Sequence, residues 1–390
     1  MSEFSCEPFP PSFSIVVHEM TTIDLTDGAT PDRLRVGLIG YGYWGPNLAR
    51  VLSRLWSDGV DLVAIADQDA TQRMRAADMF PMLDVVSDGM DLIRDESLDA
   101  VVIATPVGSH YHLAAPALEA GKHVFVEKPL AATIGEAQEL VSIARQQDRV
   151  LMVGHVFEYT EAVNYIRGVI DSGELGEILY IRSLRVNLGI YQTDINVLWD
   201  LAPHDLSIIT YLLDGEPVSV SAVGQAHITD GVPDIVNLNL SFGDRTLATV
   251  VVSWLDPRKI REMTIIGSKK MLVYDDVSST EKVRIFDKGV DGPGHYESFG
   301  DFHYAYRYGD IVSPMIEHSE PLGEEVRHFI DSIRLDKEPR SGGDSGLRVV
   351  RALAAAQASL ERHGEKITLD DPVVAEVSGR VNGLAIQKGA

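Results

Sequence analysis

Lys128, Asp200 and His204 are the side chains best suited to move a proton, and each sits where an element of structure ends or begins. Glu127-Lys128-Pro129 follows the apolar run 123–126, so a charged pair ends what reads as a buried strand. Such a pair is costly unless it is solvated or put to use. The proline behind it stiffens the turn and holds the lysine in place. The plainer alternative is a strand-end ion pair. Further along, Trp199-Asp200-Leu201-Ala202-Pro203-His204-Asp205 opens a helix that should run to about Leu213. Asp200 and His204 are four apart, which on a helix puts them on one face with the carboxylate in reach of the imidazole. An imidazole held by a carboxylate is a common build for a general acid/base near neutral pH. Alternatively Asp200 only caps the helix, although Pro203 has no N–H to offer at the third position.

A second constellation binds rather than reacts. Residues 36–45 read VGLIGYGYWG, an apolar run that breaks into Gly40-x-Gly42-x-x-Gly45 and leads into a helix-like stretch. Gly40 permits the tight turn, Gly42 lets backbone N–H groups approach a pyrophosphate, and Gly45 lets the helix pack close to the strand. The anion then rests on the helix N-terminus, with Tyr43 and Trp44 inside the loop. A second apolar run, 62–66, ends in Asp67-Gln68 at about the twenty-residue spacing of the acidic group that binds an adenosine ribose. That acid argues for NAD over NADP, because it would repel a 2′-phosphate. Thr105-Pro106 follows the run 100–104, and His110 lies a few residues on. Both fall at the carboxyl edge where open α/β sheets take ligands. His110 alone is the weaker signal, since a histidine opening a helix can be a hydrogen-bonded cap.

These residues need a scaffold. Short apolar runs at 36–39, 62–66, 100–104, 123–126 and 150–153 alternate with helical patterns at 46–56, 69–79, 109–120 and 133–147. Strands buried on both faces and separated by helices predict an α/β fold with a doubly wound parallel sheet of Rossmann type over 34–154. After a helix at 160–172, longer alternating runs at 178–187, 217–229, 234–242, 246–254, 260–267 and 282–287 predict an α+β half over 155–368, with a large open, mainly antiparallel sheet. A free face of that sheet is an expected oligomer interface. Two helices, 321–335 and 344–362, close this half. Residues 1–33 read as a flexible extension and 369–390 as a tail.

Composition narrows the function. With 390 residues, two domains are the natural expectation. The formal charge of −24 argues against nucleic acid and against an anionic membrane surface. A single cysteine, Cys6, allows no intramolecular disulfide and no thiolate zinc cluster, which fits a reducing cytoplasm. The histidines form no convincing metal spacing, and no metal is expected.

Taken together, GLIGYGYWG, ATPVGSHYHLA, GKHVFVEKPLA and the Asp200-x-x-x-His204 helix resemble the Gfo/Idh/MocA family of sugar and cyclitol oxidoreductases over about residues 34–365. Arg185-x-Asn187-Leu188-Gly189, the stretch from Asn196 to Asp205, Tyr308-Gly309-Asp310-Ile311 and Glu320-Pro321-Leu322 resemble the branch with nucleotide-sugar 3-dehydrogenases. Gln192 stands where members of that branch often carry Arg. The resemblance implies that Lys128 contacts both the substrate hydroxyl and the nicotinamide, that His204 moves the hydroxyl proton and that Asp200 orients or assists it. It also implies that Thr105, Pro106, His110 and Glu127 line the nicotinamide side. The expected substrate set is Lys128, Tyr159, Arg185, Asn187, Tyr191, Asn196, Trp199 and His204. The implied activity is NAD-dependent oxidation or reduction at one ring carbon, C3 by analogy, of a small-molecule sugar, nucleotide-linked in this branch. The expected assembly is a homodimer or homotetramer. The alternatives are an inositol or free-sugar dehydrogenase and, in another class, an NAD-binding sensor without turnover.

Overall fold

The computed structural model describes residues 33–192, 195–243, 245–291, 305–377 and 379. The expected N-terminal extension and most of the expected tail lie outside these residues. The first sheet has six parallel strands, β1 (Leu34–Ile39), β2 (Val60–Ala66), β3 (Asp84–Val86), β4 (Ala100–Ile103), β5 (His123–Glu127) and β6 (Leu151–Gly154), in the order β3-β2-β1-β4-β5-β6. The order reverses between β1 and β4, which opens a crevice at their carboxyl ends. Helices α1 (Gly45–Arg54), α2 (Ala70–Met79), α3 (Gly89–Arg94), α4 (His110–Glu119) and α5 (Ile134–Gln147) connect the strands. Leu48, Val51, Leu52 and Leu55 recur at helical spacing and pack one face of α1 onto the sheet. Strand β3 and helix α3 were not anticipated: three residues with an exposed Asp84 give no apolar run to detect.

The chain then passes through a short turn, 156–159, and α6 (Glu161–Asp171), whose cap Thr160 accepts from the Val163 N–H at 3.3 Å. The second sheet comprises β7 (Ile178–Val186), β8 (Ser219–Gln225), β9 (Ile235–Phe242), β10 (Thr246–Ser253), β11 (Ile260–Gly267), β12 (Met271–Asp275), β13 (Val283–Asp291), β14 (Ala305–Val312) and β15 (Ile367–Thr368). Its order is β14-β13-β12-β11-β7-β10-β9-β8-β15. Within this sheet only β7 and β10 pair in parallel among the described strands. One face is covered by α7 (Val197–Leu213) and by α9 (Gly343–Glu361).

Two ties fix the site's position. The closing helices return to the first sheet: α8 (Pro321–Leu335) sets Phe329 against Phe125 of β5, ring centroids 5.7 Å apart, and the Val153 N–H of β6 donates to the Ser341 carbonyl at 2.8 Å just before α9. Each fully buried aromatic of this kind contributes about 1.5–3 kcal/mol by removal from water. Helix α7 is bolted to its own sheet by charge. The Asp205 carboxylate accepts from the Arg185 Nε at 2.6 Å and from the Ser183 hydroxyl at 2.7 Å, and both charged side chains are buried. No helix among the described residues is long and apolar enough to cross a membrane.

Removing one member of a buried pair strands the other. Asp205→Ala should therefore cost about 3–5 kcal/mol in urea unfolding. The double change Arg185→Met, Asp205→Leu should recover most of that loss. A single-variant cost below about 1 kcal/mol would mean that the pair does not hold α7.

Candidate active site

The dinucleotide loop is built as the spacing requires. Gly40 has φ +99°, and a side chain there would collide with the Ala104 backbone. A Cβ on Gly42 would meet nothing within 4 Å, so the loop is open on the side where a phosphate would approach. The N-terminus of α1 at Trp44 carries no side-chain cap, which suits an anion. Tyr43 is exposed and stacks beside Trp44, centroids 6.5 Å apart. At the end of β2 the Asp67 carboxylate accepts from the Tyr41 N–H at 2.6 Å and the Asp69 N–H at 2.8 Å, so its direction is fixed, while Gln68 is exposed. Arg73, which the spacing did not reveal, donates to the Asp67 and Gln68 carbonyls at 2.9 Å each. The free approach to Gly42, the uncapped helix and the anchored acid fit an adenine dinucleotide.

At the β4–β5 edge, the Ser109 hydroxyl lies 2.8 Å from the Thr105 hydroxyl, and Pro106 is exposed. His110 is buried, with Nδ1 2.9 Å from the Pro129 carbonyl and Nε2 2.8 Å from the Thr105 carbonyl. Burial lowers its pKa. The expectation that His110 faces the nicotinamide is corrected: both ring nitrogens point at backbone carbonyls inside the protein, between the Thr105 loop and the segment that carries Lys128, and the neutral ring donates its one N–H to one of them.

Lys128 crosses from the first sheet to α7. Its Nζ donates to the Asp200 carbonyl at 2.8 Å and lies 3.5 Å from the Asp200 carboxylate, with both side chains about one-fifth exposed. The other carboxylate oxygen accepts from the Trp254 indole N–H at 2.9 Å. An intrahelical Asp200–His204 bond is therefore not made, because a cation and an indole take the carboxylate first. Asn196, not Asp200, caps α7, its side-chain oxygen accepting from the Trp199 N–H at 3.3 Å. His204 stands edge-on to Phe157, centroids 4.8 Å apart, and its Nδ1 is buried without a hydrogen-bond partner. Burial holds its pKa well below the usual range, with Lys128, Arg185 and Arg261 adding positive charge nearby. The imidazole is neutral at pH 7 and can accept a proton. Tyr191 rests on Trp254, centroids 5.3 Å apart, its buried hydroxyl also without a partner.

Several expected substrate residues have internal roles instead. Trp199 is fully buried in the core, and Tyr159 is buried with its hydroxyl 3.0 Å from that of Ser341. Asn196 donates its amide to Gln357 at 2.9 Å. Arg185 is spent on Asp205 and lies 4.4 Å from the Phe157 ring centroid. Asn187 keeps its side chain partly exposed just past β7, and its N–H donates to Ser253 at 3.2 Å. Lys128, Asp200, His204, Asn187 and Tyr191 thus remain as candidate site residues. Trp254 and Phe157 lie against them, and neither carried a spacing to any partner that the sequence could reveal.

Comparisons with known proteins agree with this construction. The oxidoreductase-family model with an NAD-binding Rossmann fold, Gfo/Idh/MocA, matches residues 34–155, and that family's C-terminal domain matches residues 163–273. An uncharacterized oxidoreductase of Escherichia coli, YdgJ, is 36% identical over 49% of this chain, which spans 56% of that relative's length. An inositol 2-dehydrogenase of Pseudomonas fluorescens is 32% identical over 56% of this chain and 68% of its own. A UDP-N-acetylglucosamine 3-dehydrogenase of Acidithiobacillus ferrooxidans is 26% identical over 84% of this chain and 97% of its own length. The solved structure of that enzyme shares the fold, with TM-score 0.70 at 24% identity over 85% of this chain and 98% of its own. With both halves matched in order, this chain belongs to the Gfo/Idh/MocA family of oxidoreductases.

Proposed function

We propose that this protein is an NAD(H)-dependent dehydrogenase or reductase that acts on one ring carbinol or ketone, C3 by analogy, of a nucleotide-linked sugar. The observation that carries the reading is the meeting of Lys128 from the nucleotide half with Asp200 on α7, one helical turn from His204. A nicotinamide bound at the β4–β5 edge supplies the hydride acceptor or donor. Two directions of the Lys128 ammonium go to Asp200, and an ammonium has three N–H donors. The third is left for the substrate oxygen, where it stabilises developing alkoxide charge. The neutral imidazole of His204 takes the hydroxyl proton as hydride leaves carbon. Trp254 keeps Asp200, and through it Lys128, from swinging away. Asn187 and Tyr191 are placed in this reading against the sugar.

The anchored carboxylate of Asp67 supports NAD over NADP. Likeness along the full length of a UDP-N-acetylglucosamine 3-dehydrogenase supports a nucleotide-linked sugar. A second reading, an inositol or free-sugar dehydrogenase, is favoured by Arg185 being neutralised by Asp205 and by Gln192 standing where an arginine is common. Either way the sugar ring itself carries no anionic group that these positions would read. The half-open second sheet, with Val223 and Leu247 exposed, supports a homodimer or homotetramer, and the single cysteine supports a reducing cytoplasm.

Lys128→Ala should abolish turnover while NAD binding, followed by fluorescence quenching, stays within about threefold, and His204→Ala should lower kcat by about a hundredfold or more. An active lysine variant would remove Lys128 from the mechanism. Asp67→Ala should weaken NAD and shrink the discrimination against NADP; an unchanged ratio of the two affinities would take Asp67 away from the ribose. A panel of UDP-, dTDP- and GDP-sugars beside glucose and inositol, read at the nicotinamide absorbance band, should respond best to a nucleotide sugar. Silence throughout with NAD still bound would favour a binder without turnover.

A further inference from the structure

Three glutamates with no part in holding substrate lie behind the crevice. Phe125 and Glu127 are two apart on β5 and share one side of the strand, while Glu325 and Phe329 are one turn apart on α8. Since Phe125 meets Phe329, the same register brings Glu127 opposite Glu325. Glu158 approaches from the turn after β6. Glu325 and Glu158 are completely buried, and no carboxyl oxygen of either has a hydrogen-bond partner. Glu127 is partly exposed as a residue, yet its carboxyl group lies against β6, where a Cβ on Gly154 would come within 3.0 Å of it.

The charged surroundings are few. Lys128 and the Trp44 side chain stand beside Glu127, and Arg340 and Arg348 act on Glu158. His155 is buried with both ring nitrogens unpartnered, and burial, then Lys128, brings its pKa down to about 3, so it stays neutral. Burial pushes Glu127 up to about 7 against the pull of Lys128, and Glu158 up to about 8 against Arg340. Glu325 is driven well above the carboxylate range, by burial first and then by the other two acids. Charge on Glu127 or on Glu158 opposes ionisation of Glu325, so the titration of Glu325 is linked to that of the other two.

We propose that Glu127, Glu325 and Glu158 form one proton-holding cluster matched to the charge of the nicotinamide: it gives up a proton when the oxidised ring docks beside Lys128 and regains one when hydride transfer neutralises the ring. The inference rests on the reading that the nicotinamide binds beside Lys128. On docking, one carboxyl O–H breaks and the proton leaves to solvent. On oxidation of the alcohol, the C–H electron pair and hydrogen pass to the ring, the hydroxyl proton is released, and a cluster carboxylate gains one proton. Cluster and nicotinamide ring together carry the same net charge before and after the step.

Calorimetric titration of the purified full chain with NAD+ and, separately, NADH at about pH 7, in buffers of different ionisation heat, counts the protons exchanged. NAD+ should release up to about one proton and NADH clearly less. Because the deprotonated cluster binds NAD+ better, its affinity should rise with pH by up to about tenfold per unit below about pH 7 and level off above, with no such rise for NADH. Glu325→Gln and Glu127→Gln should each cut the release by at least about half. Equal release with both dinucleotides, or unchanged release in both variants, would overturn the proposal. If a variant does not fold, the comparison of NAD+ with NADH on the unaltered chain still decides. NAD+ that binds without releasing protons defeats the cluster alone, whereas NAD+ that does not bind at all defeats the underlying reading as well.

Discussion

The site depends on one ammonium reaching across the protein. Lys128 ends a strand of the first sheet, and its two acceptors belong to the first turn of a helix laid on the second sheet. Neither half holds the complete chemistry. A partly buried lysine is held where its charge is opposed and its N–H groups are received, and here Asp200 does both with its carbonyl and its carboxylate. The position of α7 against β5 is thus a functional dimension of the molecule, and the supports around it follow from that need. Arg185–Asp205 locks α7 to β7, His110 locks the Lys128 segment to β4, and α8 presses on β5 from behind.

A second constraint is the treatment of charge in so acidic a chain. The chain carries a formal −24, yet Lys128, Arg185 and Arg261 gather around His204. Each has its own acid, Asp200, Asp205 or Asp276. The three ion pairs are nearly self-compensating, so the histidines among them are kept neutral by burial and by the cationic side of these pairs. Phe157 does part of this without charge: Arg185 and Arg261 lie 4.4 and 5.3 Å from its ring centroid while His204 meets the ring edge-on. An aromatic face attracts a guanidinium without placing an acid beside the imidazole.

Much of this was legible in the sequence, for reasons that are local. The glycines at 40, 42 and 45 specify a turn by their own spacing, and Asp67 follows at a distance that one βαβ unit dictates. Strands buried on both faces announce themselves as apolar runs, so five of the six strands of the first sheet are readable, and only the three-residue edge strand β3 is silent. In the second sheet β12 falls between the runs 260–267 and 282–287 and was not read as a strand, and β14, exposed along most of its length, shows no alternation. The errors at the site have one origin. Asp200 and His204 are the nearest pair along the chain, so a local reading joins them, but the fold brings Lys128 and Trp254 to the carboxylate first. Trp199, Tyr159 and Arg185 stood in the expected substrate set through the family resemblance, whereas tertiary packing gives them internal contacts.

Pro203 shows how the local and the tertiary meet. It lies inside α7 between Asp200 and His204, contributes no N–H to the Trp199 carbonyl and crowds that carbonyl with its ring. In an uninterrupted helix the neighbouring carbonyls would be absorbed by the ladder along its axis. The Asp200 carbonyl, one residue further on, takes the Lys128 ammonium at 2.8 Å, and since a carbonyl oxygen has two lone pairs it needs no gap in the ladder to do so. The acceptor that joins the two halves thus lies in the same turn as the residue that loosens the helix. The loss is offset by the Asn196 cap one turn before and by the buried Arg185–Asp205 pair just after, which hold the helix on either side of the loosened turn. The proline therefore loosens the helix in the turn that carries Asp200 and His204, and the packing on either side holds that turn in place.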